Sequence, residues 1–289
     1  VTLEPCAHQG RTPPCAEALV AAGVRRVVVA SEDPFAQVNG RGIDRLRAAD
    51  IAVETGFMRE AARELNMGFF SRIERGRPFV RVKLAMSLDG RTALASGESK
   101  WITGEAARAD VQRWRARSSA ILSGSGTVLA DNPRLTVRLA GEEFLPPWRV
   151  VLDRQLRTPA GSHVLDGSTP TLVLHGAAAS CADDRFARVE RMAVATRDGT
   201  VDLQAVLGLL AERGCNEVHV EAGSTLCGAL FAAGLVDELL LYVAPVLLGD
   251  SCRALLHLPG IVDMAQRWRL QVLDQRQIGV DWRLRLRPA

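Results

Sequence analysis

The chain has 289 residues, 47% hydrophobic and 24% charged, with a formal net charge of +3 at neutral pH. This is the composition of a globular enzyme of about two domains. The charge is too small to make nucleic acid or an anionic membrane the expected partner, and no run approaches the roughly 18 apolar residues that a membrane span needs.

Strand-like and helical stretches alternate from the start. Residues 1–3 read as a strand running into a loop that carries Cys6 and Cys15, and residues 16–22 as the helix after it. Strand 26–31 (RVVVAS), helix 42–49 and a short strand at 51–54 follow. The apolar run from Val27 to Ala30 suits a parallel sheet covered on both faces. A helical stretch at 59–70 carries Ala62, Leu65, Phe69 and Phe70 on its apolar side. The charged run 71–78 ends in Gly and Pro and marks a boundary, which predicts a first domain of residues 1–75 and a second of 78–289. Because valine opens the chain inside a strand-like stretch, the natural N-terminus is expected to lie further upstream.

The second domain reads as strand 80–86, helix 105–116, strands 120–124, 149–153 and 171–175, helix 203–212, strand 217–221, helix 225–233 and strand 238–246. Pro245 points to a strand end or a bulge. The closing run 281–287, D-W-R-L-R-L-R, alternates with period two. Trp282, Leu284 and Leu286 are expected to face the core, and Arg283, Arg285 and Arg287 to form a solvated face. The fold class expected is α/β throughout.

Cys6 and Cys15 flank a turn rich in proline at a predicted helix start, where the helix dipole favours thiolate. Zinc takes such ligands in tetrahedral geometry, and a catalytic zinc keeps one position open for water. Two cysteines do not complete that set. In nucleobase deaminases the remaining ligand and the acid/base glutamate belong to an H-x-E element before the cysteines. His8 is read as a loop or substrate-contacting residue. His219-Val220-Glu221 also spells H-x-E, but it lies on a predicted strand in the other domain and is rejected as a metal element. The remaining cysteines (181, 215, 227 and 252) lack ligand spacing and read as incidental thiols. Six scattered cysteines without a disulfide framework suggest a reducing, cytoplasmic setting.

The stretch T-L-E-P-C-A-H-Q-G-R-T-P-P-C-A-E-A-L, followed by D-P-F (33–35) and G-R-G-I (40–43), resembles the deaminase half of the bifunctional riboflavin-biosynthesis deaminase/reductase family. V-K-L-A-M-S-L-D-G-R-T-A (82–93), S-G-E-S-K-W-I-T (96–103), V-L-A-D-N-P-R-L-T-V-R (128–138), E-A-G-S-T-L (221–226) and Y-V-A-P-V-L-L-G (242–249) resemble its reductase half. The resemblance implies a partial cytidine-deaminase-like domain followed by a dihydrofolate-reductase-like domain. It also implies NADPH as cofactor, zinc at an incomplete site made by Cys6 and Cys15, and a homo-oligomer. The implied reaction reduces a phosphorylated ribosylaminopyrimidine to its ribityl form, with deamination of the preceding diaminopyrimidine in the full-length protein.

The residues support part of this independently. Glu221 to Leu226 is a strand end, a glycine and a hydroxyl pair at a helix start, where free N–H groups favour a pyrophosphate. A plain tight turn is the alternative at that junction. By resemblance Gly223, Ser224, Thr225, Leu226, Cys227, Gly228 and Ala229 border NADPH, joined by Ala85, Trp101, Thr127 and Asp131. Arg115 and Arg138 match substrate-contacting positions, with Ser99, Leu135 and Glu221 alongside; arginine forks suit a phosphate. Lys83, Asp131 and Glu221 are the candidates for the reacting centre. Lys83 sits in an otherwise apolar strand, where a carboxylate partner is expected to keep it charged. Glu221 reads equally as an acceptor for the pyrimidine N–H groups. Two rival readings are a reductase with a purely structural N-terminal segment and a nucleotide-binding remnant without activity.

Overall fold

Two hydrophobic interiors organise the chain, one within Val1–Arg77 and the other within Pro78–Ala289, in a computed structural model that describes residues 1–10 and 12–289.

In the first unit the apolar run after Arg26 forms β1 (Arg26–Val29), paired in parallel with β2 (Ala52–Thr55). Helices α1 (Cys15–Ala21) and α2 (Arg41–Arg47) close a small core of Ala16, Val27, Val29, Ile43, Leu46 and Ile51. Residues 1–3, expected as a strand, make only an isolated parallel bridge from Leu3 to Ser31. The single helix expected at 59–70 is two, α3 (Arg59–Leu65) and α4 (Met67–Arg75). They break at Asn66, whose φ of −117° is not helical. α4 runs through most of the charged stretch read as a boundary, because Phe70 and Ser71 are buried and Ser71 Oγ donates to the Arg77 carbonyl at 2.7 Å. Gly76, with φ 65°, ends it in the left-handed region that glycine tolerates.

The second unit is built on a nine-stranded sheet. In chain order it begins with β3 (Phe79–Ser87), a three-residue β4 (Arg91–Ala93), α5 (Glu105–Ala116), β5 (Ala120–Gly124), α6 (Ser125–Asp131), β6 (Trp148–Leu152) and β7 (Thr171–Gly176). It continues with β8 (Glu190–Val194), the small hairpin of β9 (Thr196–Arg197) and β10 (Thr200–Val201), α7 (Leu203–Glu212), β11 (Glu217–Val220) and α8 (Ser224–Ala232). It ends with β12 (Glu238–Ala244), a two-residue β13 (Arg253–Ala254), β14 (Leu270–Ile278) and β15 (Asp281–Pro288). The strand order is β14-β15-β12-β3-β11-β5-β6-β7-β8, parallel from β12 to β8 and antiparallel in the closing hairpin.

One sheet face carries Val80, Val82, Leu84, Leu122, Val218, Val220, Leu239 and Leu241 against α7 and α8. The other carries Arg81, and Arg81 is fully buried between Glu238 (Nε–Oε1 2.7 Å) and Glu217 (Nη1–Oε2 2.7 Å). Leu240 and Tyr242 pack beside it against Ala107, Val111 and Trp114 of α5.

The closing strand corrects the sequence reading. Leu286 enters the first face as expected, but Trp282 is 45% exposed and the arginine side is not solvated. Arg283 is buried between Asp110 (2.9 Å) and Asp274 (2.9 Å), and Arg285 reaches Glu238 at 2.7 Å. Carboxylates from α5, β12 and β14 supply the counter-charge that makes this burial possible.

Candidate functional site

Parallel strands deliver their carboxyl ends to one edge of the sheet, and helices that follow directly begin there with unpaired N–H groups. β5 and β11 are neighbours, and each turns into a helix at that edge. Gly124 precedes α6 and Gly223 precedes α8, and neither helix start has a side-chain cap. The two turns are tied together: Glu221 N–H donates to the Leu122 carbonyl at 2.9 Å and Ser123 Oγ to the Glu221 carbonyl at 2.7 Å. A Cβ on Gly124 would stand 3.4 Å from Leu226 Cδ2, whereas one on Gly223 or Gly126 would meet nothing within 4 Å. The edge therefore presents two uncapped helix starts with open glycine faces, a donor set that fits a pyrophosphate.

Beside this edge the α5 face brings Arg115 to Glu221. Nε and Nη2 bind the two carboxylate oxygens at 2.5 and 2.8 Å, and Nη1 donates to the Thr136 carbonyl at 2.8 Å. Burial by itself would raise the Glu221 pKa, but the Arg115 charge and hydrogen bonds outweigh it and hold the carboxyl well below the usual carboxylate range. Lys83 lies on the same face of β3, with Nζ 5.9 Å from the centre of the Tyr242 ring. The expected carboxylate partner does not pair with it, because Arg115 already occupies both oxygens of Glu221. Burial pushes the Lys83 ammonium down, with Glu221 opposing and Arg115 adding to the shift. The Tyr242 hydroxyl donates to Asp110 at 2.6 Å; burial, then Asp110, drives its pKa up, so it stays protonated.

The other expected residues sit at different depths around this edge. Asp131 is exposed at the far end of α6 and makes no hydrogen bond or ion pair with Lys83 or Glu221. The helix that starts at the edge carries its last residue away from it. Leu135 is 2% exposed within a second core that contains Ile121, Val128 and Val151. Of the run 223–229, Gly223, Thr225 and Ala229 are exposed while Cys227 and Gly228 are buried, as helical periodicity requires. Burial raises the Cys227 thiol to about 12, and its Sγ donates to the Ala222 carbonyl. Gly228 packs against the backbone of His257, where a Cβ would lie 2.0 Å from the carbonyl oxygen. Ser224, Leu226 and Thr127 are half-buried around the two helix starts.

Ala85 is half-buried opposite Tyr242 in the β3–β12 register. Ser99 lies in the loop before α5, as does Trp101, 70% exposed and stacked under the Arg108 guanidinium at 4.5 Å. Arg138 is exposed, and its backbone N–H is fixed by Gln112 Oε1 at 3.0 Å. Sequence reasoning missed His219 as a neighbour of Glu221: its Nε2 lies 3.3 Å from Oε1. The alternation of the strand read from the sequence at 217–221 puts positions 219 and 221 on one face, which was the available signal.

In the first unit, Cys6 and Cys15 are reduced and adjacent, the Cys15 N–H donating to Cys6 Sγ at 3.4 Å. The Cys15 thiol is raised, first by its hydrogen bond with Cys6. No group of three His, Cys, Asp or Glu side chains suited to a metal occurs among the described residues. Two sulfurs alone do not fit a zinc site of catalytic geometry. Sequence reasoning also missed Glu4. Buried after the short bridge, it accepts the backbone N–H groups of Asp33 (3.3 Å), Gly40 (3.0 Å), Gly42 (3.0 Å) and Ile43 (3.3 Å). Gly42 is required there, since a Cβ would fall 1.7 Å from the Pro5 oxygen.

A parallel sheet with paired helix starts at its carboxyl edge and a buried ion pair beside them is the arrangement of a small-molecule enzyme site that takes a phosphate-bearing ligand. Residues 78–284 match the model of the RibD C-terminal domain. The riboflavin biosynthesis protein RibD of Escherichia coli K12 is 44% identical over 97% of this chain and 79% of its own length. Acinetobacter baumannii RibD superposes with a TM-score of 0.90 at 44% identity, over 99% of this chain and 79% of that one. A Thermotoga maritima diaminohydroxyphosphoribosylaminopyrimidine deaminase/5-amino-6-(5-phosphoribosylamino)uracil reductase gives 0.85 at 30% identity, over 99% and 78%. The chain belongs to the RibD family of riboflavin biosynthesis enzymes, and its second unit is the family's reductase domain.

Proposed function

We propose that the second unit catalyses NADPH-dependent reduction of 5-amino-6-(5-phosphoribosylamino)uracil to the ribitylamino product. The observation that carries this reading is the pairing of the two glycine-led helix starts with the Lys83, Glu221 and Arg115 group at one sheet edge. The name of the Thermotoga relative supplies the substrate. The dihydrofolate-reductase-like architecture belongs to the same reading, supported by the parallel sheet closed by an antiparallel hairpin.

In this reading the N–H groups at the starts of α6 and α8 would hold the pyrophosphate of NADPH, with Gly223, Ser224, Thr225, Leu226 and Thr127 lining that place. NADPH, when bound, would supply the hydride that reduces C1 of the opened ribose. Lys83, unpaired and lowered in pKa by burial, donates a hydrogen bond or a proton to the sugar oxygen or ring-bound nitrogen. Glu221, kept ionised, accepts from the pyrimidine N–H groups, and Arg138 and Arg115 face the phosphate. Ser99 and Trp101 border the substrate and cofactor from the loop before α5.

The first unit is read as a partial cytidine-deaminase-like domain, on the strength of the two thiols at the start of α1. Its donor set does not fit a catalytic zinc, so no deamination step is assigned to the residues present. Self-association is part of the reading, supported by the edge strand β14 with Leu270 and Val272 exposed. A cytoplasmic setting belongs to the same reading, supported by six cysteines scattered without the spacing of a disulfide framework, and no helix among the described residues is long and apolar enough to cross a membrane. The reading is tested by following NADPH and NADH oxidation with the phosphoribosylaminouracil. Turnover with NADPH supports it, and no oxidation of either by folded protein contradicts it.

A further inference from the structure

His219 is a buried titratable group beside the sheet edge to which the reduction assigns no role. It is fully buried on β11, in register with Arg81 of β3 and Ile121 of β5. Among the described residues neither ring nitrogen makes a hydrogen bond of acceptable geometry. An imidazole left unpaired in a buried strand is costly, and a valine or isoleucine would fill the space without that penalty. Yet Nε2 lies 3.3 Å from Glu221 Oε1, the same oxygen that Arg115 Nε holds at 2.5 Å.

The surrounding charges leave His219 a single partner. Glu217, two residues earlier on the same face, is taken by Arg81 (2.7 Å) and Arg117 (3.3 Å). Glu221 is the remaining carboxylate, and the cations acting on the ring are Arg115 and Arg81. Arg115 has a second anchor, its Nη1 bond to the Thr136 carbonyl, two residues before the exposed Arg138. A turn of the guanidinium toward that segment can therefore keep one bond while releasing Glu221.

We propose that His219 is a positioning residue for Glu221: when an anionic substrate draws Arg115 off the carboxylate, the imidazole takes up Oε1 and holds Glu221 in place. This handover rests on the reductase reading only for the phosphorylated nature of the substrate. It accounts for a nitrogen-bearing ring beside Glu221 Oε1 at a position where an apolar side chain would pack.

Two measurements test it. In steady-state kinetics, His219→Leu raises the KM for 5-amino-6-(5-phosphoribosylamino)uracil about tenfold, the scale of one hydrogen bond to a charged acceptor, and leaves the KM for NADPH unchanged. His219→Gln, whose amide N–H reaches the same oxygen, recovers most of that loss. Equal impairment of both variants with normal melting, or no effect in His219→Leu, overturns the proposal. In ¹⁵N-histidine NMR of the whole chain, with His219 assigned by its loss in His219→Gln, Arg115→Met is expected to move Nε2 to a hydrogen-bonded donor and to raise the ring's pKa. The acceptor is then free and a facing cation is gone, while Arg81, Lys83 and Glu217 are unchanged. An unaltered His219 signal in Arg115→Met refutes the handover. That outcome is independent of turnover, so an inactive wild-type chain would sink the reductase reading and leave this measurement to judge His219.

Discussion

Replacing Arg115 by methionine removes one half of a buried ion pair and leaves the other half in place. The two side chains are 10% and 15% exposed, and the change deletes both carboxylate bonds and the bond to Thr136. Breaking a buried pair from one side costs about 3–5 kcal/mol, because the surviving charge keeps its desolvation penalty. The lower end applies here, since His219 and Lys83 stand close enough to relieve Glu221 in part. For a unit of about two hundred residues, roughly 3 kcal/mol lowers the melting temperature by about 6–12 °C. The acid limb of stability supplies a second signature. In the wild type Glu221 is held below its ordinary value of 4.5, so the unfolded chain binds more protons between the folded pKa and 4.5. Stability therefore rises with pH through that window and is lost as pH falls. Without Arg115, burial dominates and lifts the carboxyl above 4.5, which reverses the slope contributed by this group. Urea titration across pH measures both effects. A loss under about 1 kcal/mol, as for a surface pair, together with an unchanged acid slope, would refute the assignment of Arg115–Glu221 as the central buried pair of the site.

Other expectations follow from single positions. Lys83→Met should lower turnover at least about tenfold, the minimum scale of acid–base or hydrogen-bond assistance at a reacting centre, while melting stays level or rises because a buried unpaired ammonium is removed. A smaller fall in kcat would take Lys83 out of the reaction. Gly228→Ala should destabilise the second unit by about 1–3 kcal/mol through its clash with the His257 backbone. Gly223→Ala, with open space around the new Cβ, should melt normally and weaken NADPH binding, read by fluorescence titration. Glu4→Ala leaves four backbone N–H groups of the first unit without their acceptor. It should expose amides 40–43 to hydrogen exchange while the second unit stays protected, and unchanged protection would contradict the anchoring role.

The sequence carried the α/β pattern wherever one residue stretch decides its own structure. The strand at β3 is legible because V-R-V-K-L-A-M holds apolar residues on one face, and α5 and α7 because their period is helical. α6 was missed: seven residues led by Gly124 and containing Gly126 give no helical signal of their own, and the helix exists because β5 delivers it to the sheet edge. β14 was missed because L-Q-V-L-D-Q-R-Q-I is mostly polar and is recruited as a strand by pairing with β15. The arginine face of β15 was read as solvated since its neutralising groups, Asp110 and Glu238, are remote in sequence. The same holds for the site. Glycine and hydroxyl residues after β11 announced a phosphate-binding turn, and a lysine in an apolar strand announced chemistry. That Arg115 would meet Glu221, 106 residues away, depended on tertiary packing that no local pattern encodes.

The most direct test of the central claim is a turnover of this chain with NADPH deuterated at its transferable nicotinamide position and 5-amino-6-(5-phosphoribosylamino)uracil. The account predicts one deuterium at C1 of the ribityl side chain for each NADPH consumed, with Lys83→Met forming labelled product more slowly at the same one-to-one ratio. Consumption of NADPH without label at that carbon, or a folded chain that forms no ribityl product, would contradict it.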